Sequence, residues 1–129
     1  MPRTFEAISP ADLGFLEERH LATLTTTRPN GTLHVVAIAF TLDHVRQVAS
    51  VICSEGTVKV RNVDAGSRAA VCQVDGPRWM SLEGPARVVR DDAGIAAAVA
   101  AFERRYRPAS VNPRRVAIEI QVEAVLGRS

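Results

Sequence analysis

Only one long stretch of this chain keeps a helical apolar period. Ile95, Val99, Phe102 and Tyr106 recur at spacings of four, three and four, an apolar stripe along about four turns that starts after Asp91-Asp92. Nearly everywhere else the apolar runs are of strand length and are bounded by turn signals, so the chain must be mainly β. Residues 21–27 form a threonine-rich run, and Arg28-Pro29-Asn30-Gly31 fits a tight turn with proline second and glycine last. Residues 33–40 then return antiparallel; they are apolar at nearly every position, which predicts a strand covered on both faces at the centre of the fold. Residues 48–53 make a third strand, and 69–74 and 79–89 make two more, joined by Asp75-Gly76-Pro77. After the break at 108–113, Val116, Ile118, Ile120 and Val122 alternate with Ala117, Glu119, Gln121 and Glu123, as in a half-exposed strand.

Two shorter helices complete the order. Ser9-Pro10-Ala11-Asp12 places a hydroxyl cap, a proline at the first helical position and an acid in the first turn, with Leu13 and Leu16 on one side. Residues 57–64 form the other helix, closed by Gly66-Ser67. The expected fold is mainly β with helices (α+β), a six-stranded antiparallel sheet in the order α-β-β-β-α-β-β-α-β that closes into a small barrel. A chain of 129 residues is expected to be one domain, 1–129, with 1–20 as N-terminal helix and lead-in.

Composition narrows function by exclusion. Sixteen basic and 14 acidic residues leave a net charge of +2, too little for a dense phosphate-binding face, and aromatics at 5% are too few for a base-stacking barrel. No nucleic-acid partner is expected. Cys53 and Cys72 lie in apolar runs and read as reduced, buried thiols, and no Cys/His spacing suggests a metal site. With no basic segment leading an apolar core and no run of roughly 18 apolar residues, a cytoplasmic protein without membrane association is expected.

Lys59 is the single lysine beside fifteen arginines. It follows Ser54-Glu55-Gly56-Thr57-Val58, where a strand gives way to a short helix. Thr57 can cap that helix, its free N–H groups attract an anion, and a lysine adds a point charge, so the segment reads as a phosphate turn. A solvated surface lysine is the plainer alternative. No nucleophile–base set, no matched carboxylate pair and no Gly-x-Gly-x-x-Gly after a strand occurs, so no catalytic side chain is named.

In order along the chain, several segments resemble the flavin- and deazaflavin-binding split β-barrel family, the pyridoxamine 5'-phosphate oxidase-like group. They are Pro29-Asn30-Gly31 leading into His34-Val35-Val36-Ala37-Ile38-Ala39-Phe40, then Ser54 through Val63, Cys72-Gln73-Val74, Trp79 through Val88, and Asn112-Pro113-Arg114-Arg115-Val116. The stretch from Val71 to Trp79 and the Asn-Pro-Arg-Arg close are most similar to actinobacterial members that use coenzyme F420, the F420-dependent biliverdin reductases.

The resemblance implies that Thr57 and Lys59 hold the cofactor phosphate, with Arg61 recruited because Val58 stands where flavin-binding relatives carry a second base. It implies that His34, Val36, Ala37 and Ile38 line the ring system, mostly through backbone groups. Cys53 would replace a commonly found threonine, and Asn62 and Trp79 complete the cofactor-facing set, although a lone tryptophan is as often an interface anchor. Arg78, Arg107, Arg114 and Arg115 are the candidates for substrate carboxylates or the cofactor's glutamate tail. The expectation is a homodimeric reductase passing hydride from reduced F420 to a small conjugated acceptor, biliverdin by resemblance; the alternatives are an FMN flavoprotein on the same fold, or a carrier of F420 or a tetrapyrrole without turnover.

Overall fold

Ser9 Oγ accepts from the Asp12 N–H at 3.1 Å and Pro10 is the first helical residue, so α1 (Pro10–Glu17) begins as its sequence dictates. The structure, a computed structural model, describes residues 2–129. Beyond α1 the elements are β1 (Ala22–Thr27), β2 (Leu33–Ile38), β3 (Thr41–Asp43), β4 (Val48–Ser54), α2 (Val58–Asp64), β5 (Arg68–Asp75), β6 (Arg78–Val89), α3 (Asp92–Arg105), β7 (Arg115–Gln121) and β8 (Ala124–Arg128). Among the described residues no helix is long and apolar enough to cross a membrane.

The strands pair antiparallel in the order β2-β1-β5-β6-β7-β4-β3, with β8 alongside β6. β6 is the hinge of this path. Its first part pairs with β5 and β8, and its last part, from Ala86 to Val89, pairs with β7. At the change of partner stands Gly84, where a Cβ would lie 1.8 Å from the Gln121 carbonyl oxygen; only glycine lets the two backbones approach this closely. The concave side gathers Phe15, Leu16, Leu24, Phe40, Val51, Val71, Met80, Leu82, Ile118 and Ile120 into one core.

The class is the expected one, with eight strands instead of six and a path left open between β2 and β3. β3 was not expected between the runs 33–40 and 48–53: Asp43 Oδ1 accepts from the N–H groups of Val45 and Arg46 and turns β3 back onto β4. β8 gave no signal because it is short and is interrupted by Gly127, over which the Trp79 ring lies too closely for any side chain.

β2 departs from expectation more instructively. It is an edge strand, not a central one, and Leu33 (67% exposed) and Val35 (56%) point outward from it. The continuous apolar character therefore reflects an inner face on the core and an outer face that the single protomer leaves bare. Ala117 is buried, against its polar place in the alternation, because α3 lies over β7 and its small Ala98 packs there with Val89. Along α3 itself, Phe102 and Ala98 are buried while Ile95, Val99 and Tyr106 are half-buried.

Candidate functional site

β4 ends where β7 begins, with Ser54 opposite Arg115, and the segment after β4 and the one before β7 are laced into one unit. The Glu55 N–H donates to the Arg114 carbonyl at 2.9 Å, Asn112 Nδ2 donates to Ser54 Oγ at 2.7 Å, and Asn112 Oδ1 accepts from the Arg114 N–H at 3.0 Å. Gly56 takes φ of +82°, and a Cβ there would stand 3.2 Å from Arg114 Nη2, so the turn is shaped around this guanidinium.

Thr57 occupies the N-cap position of α2, but its hydroxyl does not cap. It donates to the Ser54 carbonyl at 3.0 Å and so braces the turn. α2 buries Val60, Asn62 and Val63 and is only seven residues long, which makes side-chain cations, not a helix field, the feature to weigh here. Arg90 grips both ends of this element. Its guanidinium donates to both Glu55 oxygens at 2.9 and 2.7 Å and to both Asp64 oxygens at 3.1 and 2.7 Å, and it holds the two carboxyls below their ordinary range. Sequence reasoning missed Arg90 and Asn112's bracing role, because neither function leaves a local pattern.

Five cations without a carboxylate partner gather at this end of the fold, while Arg19, Arg28, Arg104, Arg105 and Arg128 are likewise unpaired elsewhere among the described residues. Arg3, Arg46, Arg68, Arg78, Arg87 and Arg90 all meet carboxylates. Among the described residues Lys59, Arg61, Arg107, Arg114 and Arg115 meet none. Arg107 and Arg115 line one cavity of about 230 Å³ with Ile52 and Phe102 as its apolar floor, and the Arg107 guanidinium lies 5.6 Å from the Phe102 ring centre. Arg115 is further fixed by donation to the Ser110 carbonyl at 3.0 Å. Cys53, between these groups, has its thiol pushed up to about 11 by burial, against the opposing pull of Lys59, so it is a neutral thiol at physiological pH.

His34, Val36 and Ile38 share the inner face of β2, with Ala37 on the outer one. The edge of β2 away from β1 is unpaired in the protomer. His34 lies opposite Thr26, whose hydroxyl accepts from Asn62 Nδ2 at 3.0 Å, and His34 Nδ1 is buried without a hydrogen-bond partner.

Arg78 and Trp79 stand apart from this group. They open β6, whereas Arg90 beside the Glu55 turn follows its last residue, and 11 steps of about 3.3 Å put up to roughly 35 Å between the two ends. Arg78 donates to both Glu18 oxygens at 2.9 Å and also bonds Asp75, and it stacks 4.6 Å from the Phe15 ring centre. The same carboxylates gather around His20, and Arg78 meets their charge. Trp79 is 42% exposed, on an outward sheet face with Leu33, Val35 and Val74.

The donor set suits an anionic coenzyme: a lysine and several arginines without carboxylate partners among the described residues, beside an edge strand whose outer backbone groups are unpaired in the protomer. A family model described as pyridoxamine 5'-phosphate oxidase matches residues 8–129. An F420H(2)-dependent biliverdin reductase of Mycobacterium tuberculosis (strain CDC 1551 / Oshkosh) is 46% identical over 127 residues, covering 98% of this chain and 93% of the relative. Among solved structures, the conserved hypothetical protein Rv2991 from Mycobacterium tuberculosis superposes with a TM-score of 0.79 at 21% identity, covering 95% of this chain and 86% of its own. A structure described as F420 reductase superposes with a TM-score of 0.75 at 24% identity, covering 92% and 98%.

Proposed function

This chain belongs to the pyridoxamine 5'-phosphate oxidase family, and from that premise we propose that it is an F420-dependent reductase whose acceptor is a conjugated, carboxylate-bearing molecule, with biliverdin as the substrate. The observation that carries the reading is the gathering of Lys59, Arg61, Arg107, Arg114 and Arg115 around the Gly56 turn and the cavity beside it, none with a carboxylate partner among the described residues.

Lys59 and the Thr57 turn hold the phosphate, while the free edge of β2 from Val36 to Ile38 meets the amide side of the ring system with backbone donors and acceptors. Apolar Val36 and Ile38 keep water from that surface. Arg107 and Arg115, on their apolar floor, take acceptor carboxylates through bidentate bonds, and Arg114 adds charge at the same mouth. The bound reduced deazaflavin supplies the hydride, which fits a chain without a nucleophile or an activated base. Cys53 stays protonated beside Lys59 and contributes packing rather than nucleophilic chemistry.

The active form is a homodimer. The outward face of β2, β1, β5 and β6 presents Leu33, Val35, Val74 and Trp79, an apolar surface that a second copy covers. Trp79, remote from Lys59 within one protomer, then serves the seam. The test is to mix protein, reduced F420 and biliverdin and to follow cofactor reoxidation with loss of the green pigment. Coupled loss of both supports the reading; tight binding without turnover favours a carrier. The family's own description favours one second reading, an FMN flavoprotein, and a purified protein carrying flavin absorbance would select it.

A further inference from the structure

We propose that the two-fold axis of the dimer runs across the strands through Ala37, Thr23, Cys72 and Ser81, so that Glu83 of each protomer meets the partner's Arg128; this rests on the homodimer reading above. The ladder registers define the face concerned. Thr23 pairs with both Ala37 and Cys72, and Cys72 pairs with Ser81, which has Leu126 on its other side. Residues opposite one another in a ladder point to the same side, so these form one row across the outward face. In the next row Val35, Thr25, Ala70, Glu83 and Ala124 stand side by side, and in the row on the other flank Val74, Trp79 and Arg128 do.

The relief of this face suits its own copy. About a two-fold axis lying in the seam, every residue on the axis meets its twin, so any bulk there is doubled. Sheets packed face to face stand about 10 Å apart, which leaves room on the axis only for small side chains. The middle row offers alanine, threonine, cysteine and serine on four neighbouring strands, while the larger Val35, Val74 and Trp79 lie in the rows that flank it. Rotation about this axis lays each flanking row over the other. Ala70 then receives Val74, and Glu83 receives the end of the face that carries Trp79 and Arg128.

Charge points to the same arrangement. Among the described residues Glu83 and Arg128 meet no opposite charge, and the other arginine of the face, Arg68, is taken by Glu123 at 2.8 Å. Within one protomer Glu83 and Arg128 lie two rows and one strand apart, roughly 14 Å, and do not pair. An acid inside an apolar seam is costly without a partner. The rotation that superposes the rows supplies one twice over, Glu83 to Arg128 and Arg128 to Glu83, and this favours a second copy over an unrelated protein.

The dimer dissociation constant, read by sedimentation over a dilution series, tests the axis. Glu83→Arg and Arg128→Glu should each weaken the dimer about a hundredfold, since each sets like charges together at two places. The double variant restores opposite charges across the axis and should return to within about tenfold of the unaltered protein. Thr23→Trp, at a position exposed in the protomer, should also split the dimer by setting two indoles against each other. Single variants that weaken the dimer without recovery in the double overturn the pair, and so does a dimer that either single change leaves intact. A dimer unmoved by Thr23→Trp overturns the axis. If the unaltered protein sediments as a monomer throughout, the homodimer reading fails and the axis with it. All the substituted side chains lie on the outward face, and a matching far-ultraviolet circular dichroism spectrum verifies that each variant is folded.

Discussion

Glu55 and Arg114 hold each other from both sides: the Glu55 N–H donates to the Arg114 carbonyl at 2.9 Å, and Arg114 Nη2 donates to the Glu55 carbonyl at 3.3 Å. Segments nearly sixty residues apart in sequence therefore form one rigid mouth. The turn that carries Lys59 and the one that carries Arg114 and Arg115 are thereby held at a fixed spacing.

Asn112 is the test of that rigidity, since its side chain bonds both Ser54 and the Arg114 N–H. Asn112→Ala should cost about 1 kcal/mol of stability by denaturant unfolding and should weaken cofactor binding as well. Loss of stability with full affinity would show that the two turns do not need each other to bind.

Gly84 tests the crossing of β6 between its partners. Gly84→Ala forces a methyl group against the Gln121 carbonyl and should destabilise the protein by about 2–4 kcal/mol. A melting temperature within a degree of the unaltered protein would contradict the close approach.

Glu18 gives a pH dependence with a definite sign. Hydrogen bonds from Arg78, then from His20, pull its carboxyl from 4.5 down to about 2. A depressed folded-state value stabilises the protein above the unfolded value and loses that stabilisation as pH falls from about 4.5 toward 2. Glu18→Gln should therefore flatten part of the acid decline in melting temperature; an unchanged acid slope would mean that the pair is not formed in solution.

The seam is tested at Val35, which is 56% exposed on the outer face of β2. Val35→Asp should turn a dimer into a monomer in sedimentation, at little cost to the folded protomer. A dimer that persists would place the second copy on another surface.

Much of the fold was legible because its determinants are local. The Ser9 cap, the turn from Arg28 to Gly31 and the stripe of α3 depend on residues a few positions apart. β2 was misplaced because periodicity reports burial on a face without saying what buries it; Leu33 and Val35 look the same whether a sheet or a second chain covers them. Lys59, Arg114 and Arg115 could be named as candidates by residue type and family resemblance, and the structure sets the turns that carry them side by side. Arg90 could not, because an arginine's meaning depends on whether an acid reaches it, and Arg90 meets two.

The central claim is that the Lys59 ammonium anchors the anionic end of a deazaflavin, and the most direct measurement is a paired F420 titration of the unaltered protein and Lys59→Ala. The account predicts saturable binding that the substitution weakens by about 1.5–3 kcal/mol, roughly ten- to a hundredfold in dissociation constant, with the fold intact. Equal dissociation constants for the two proteins would contradict it.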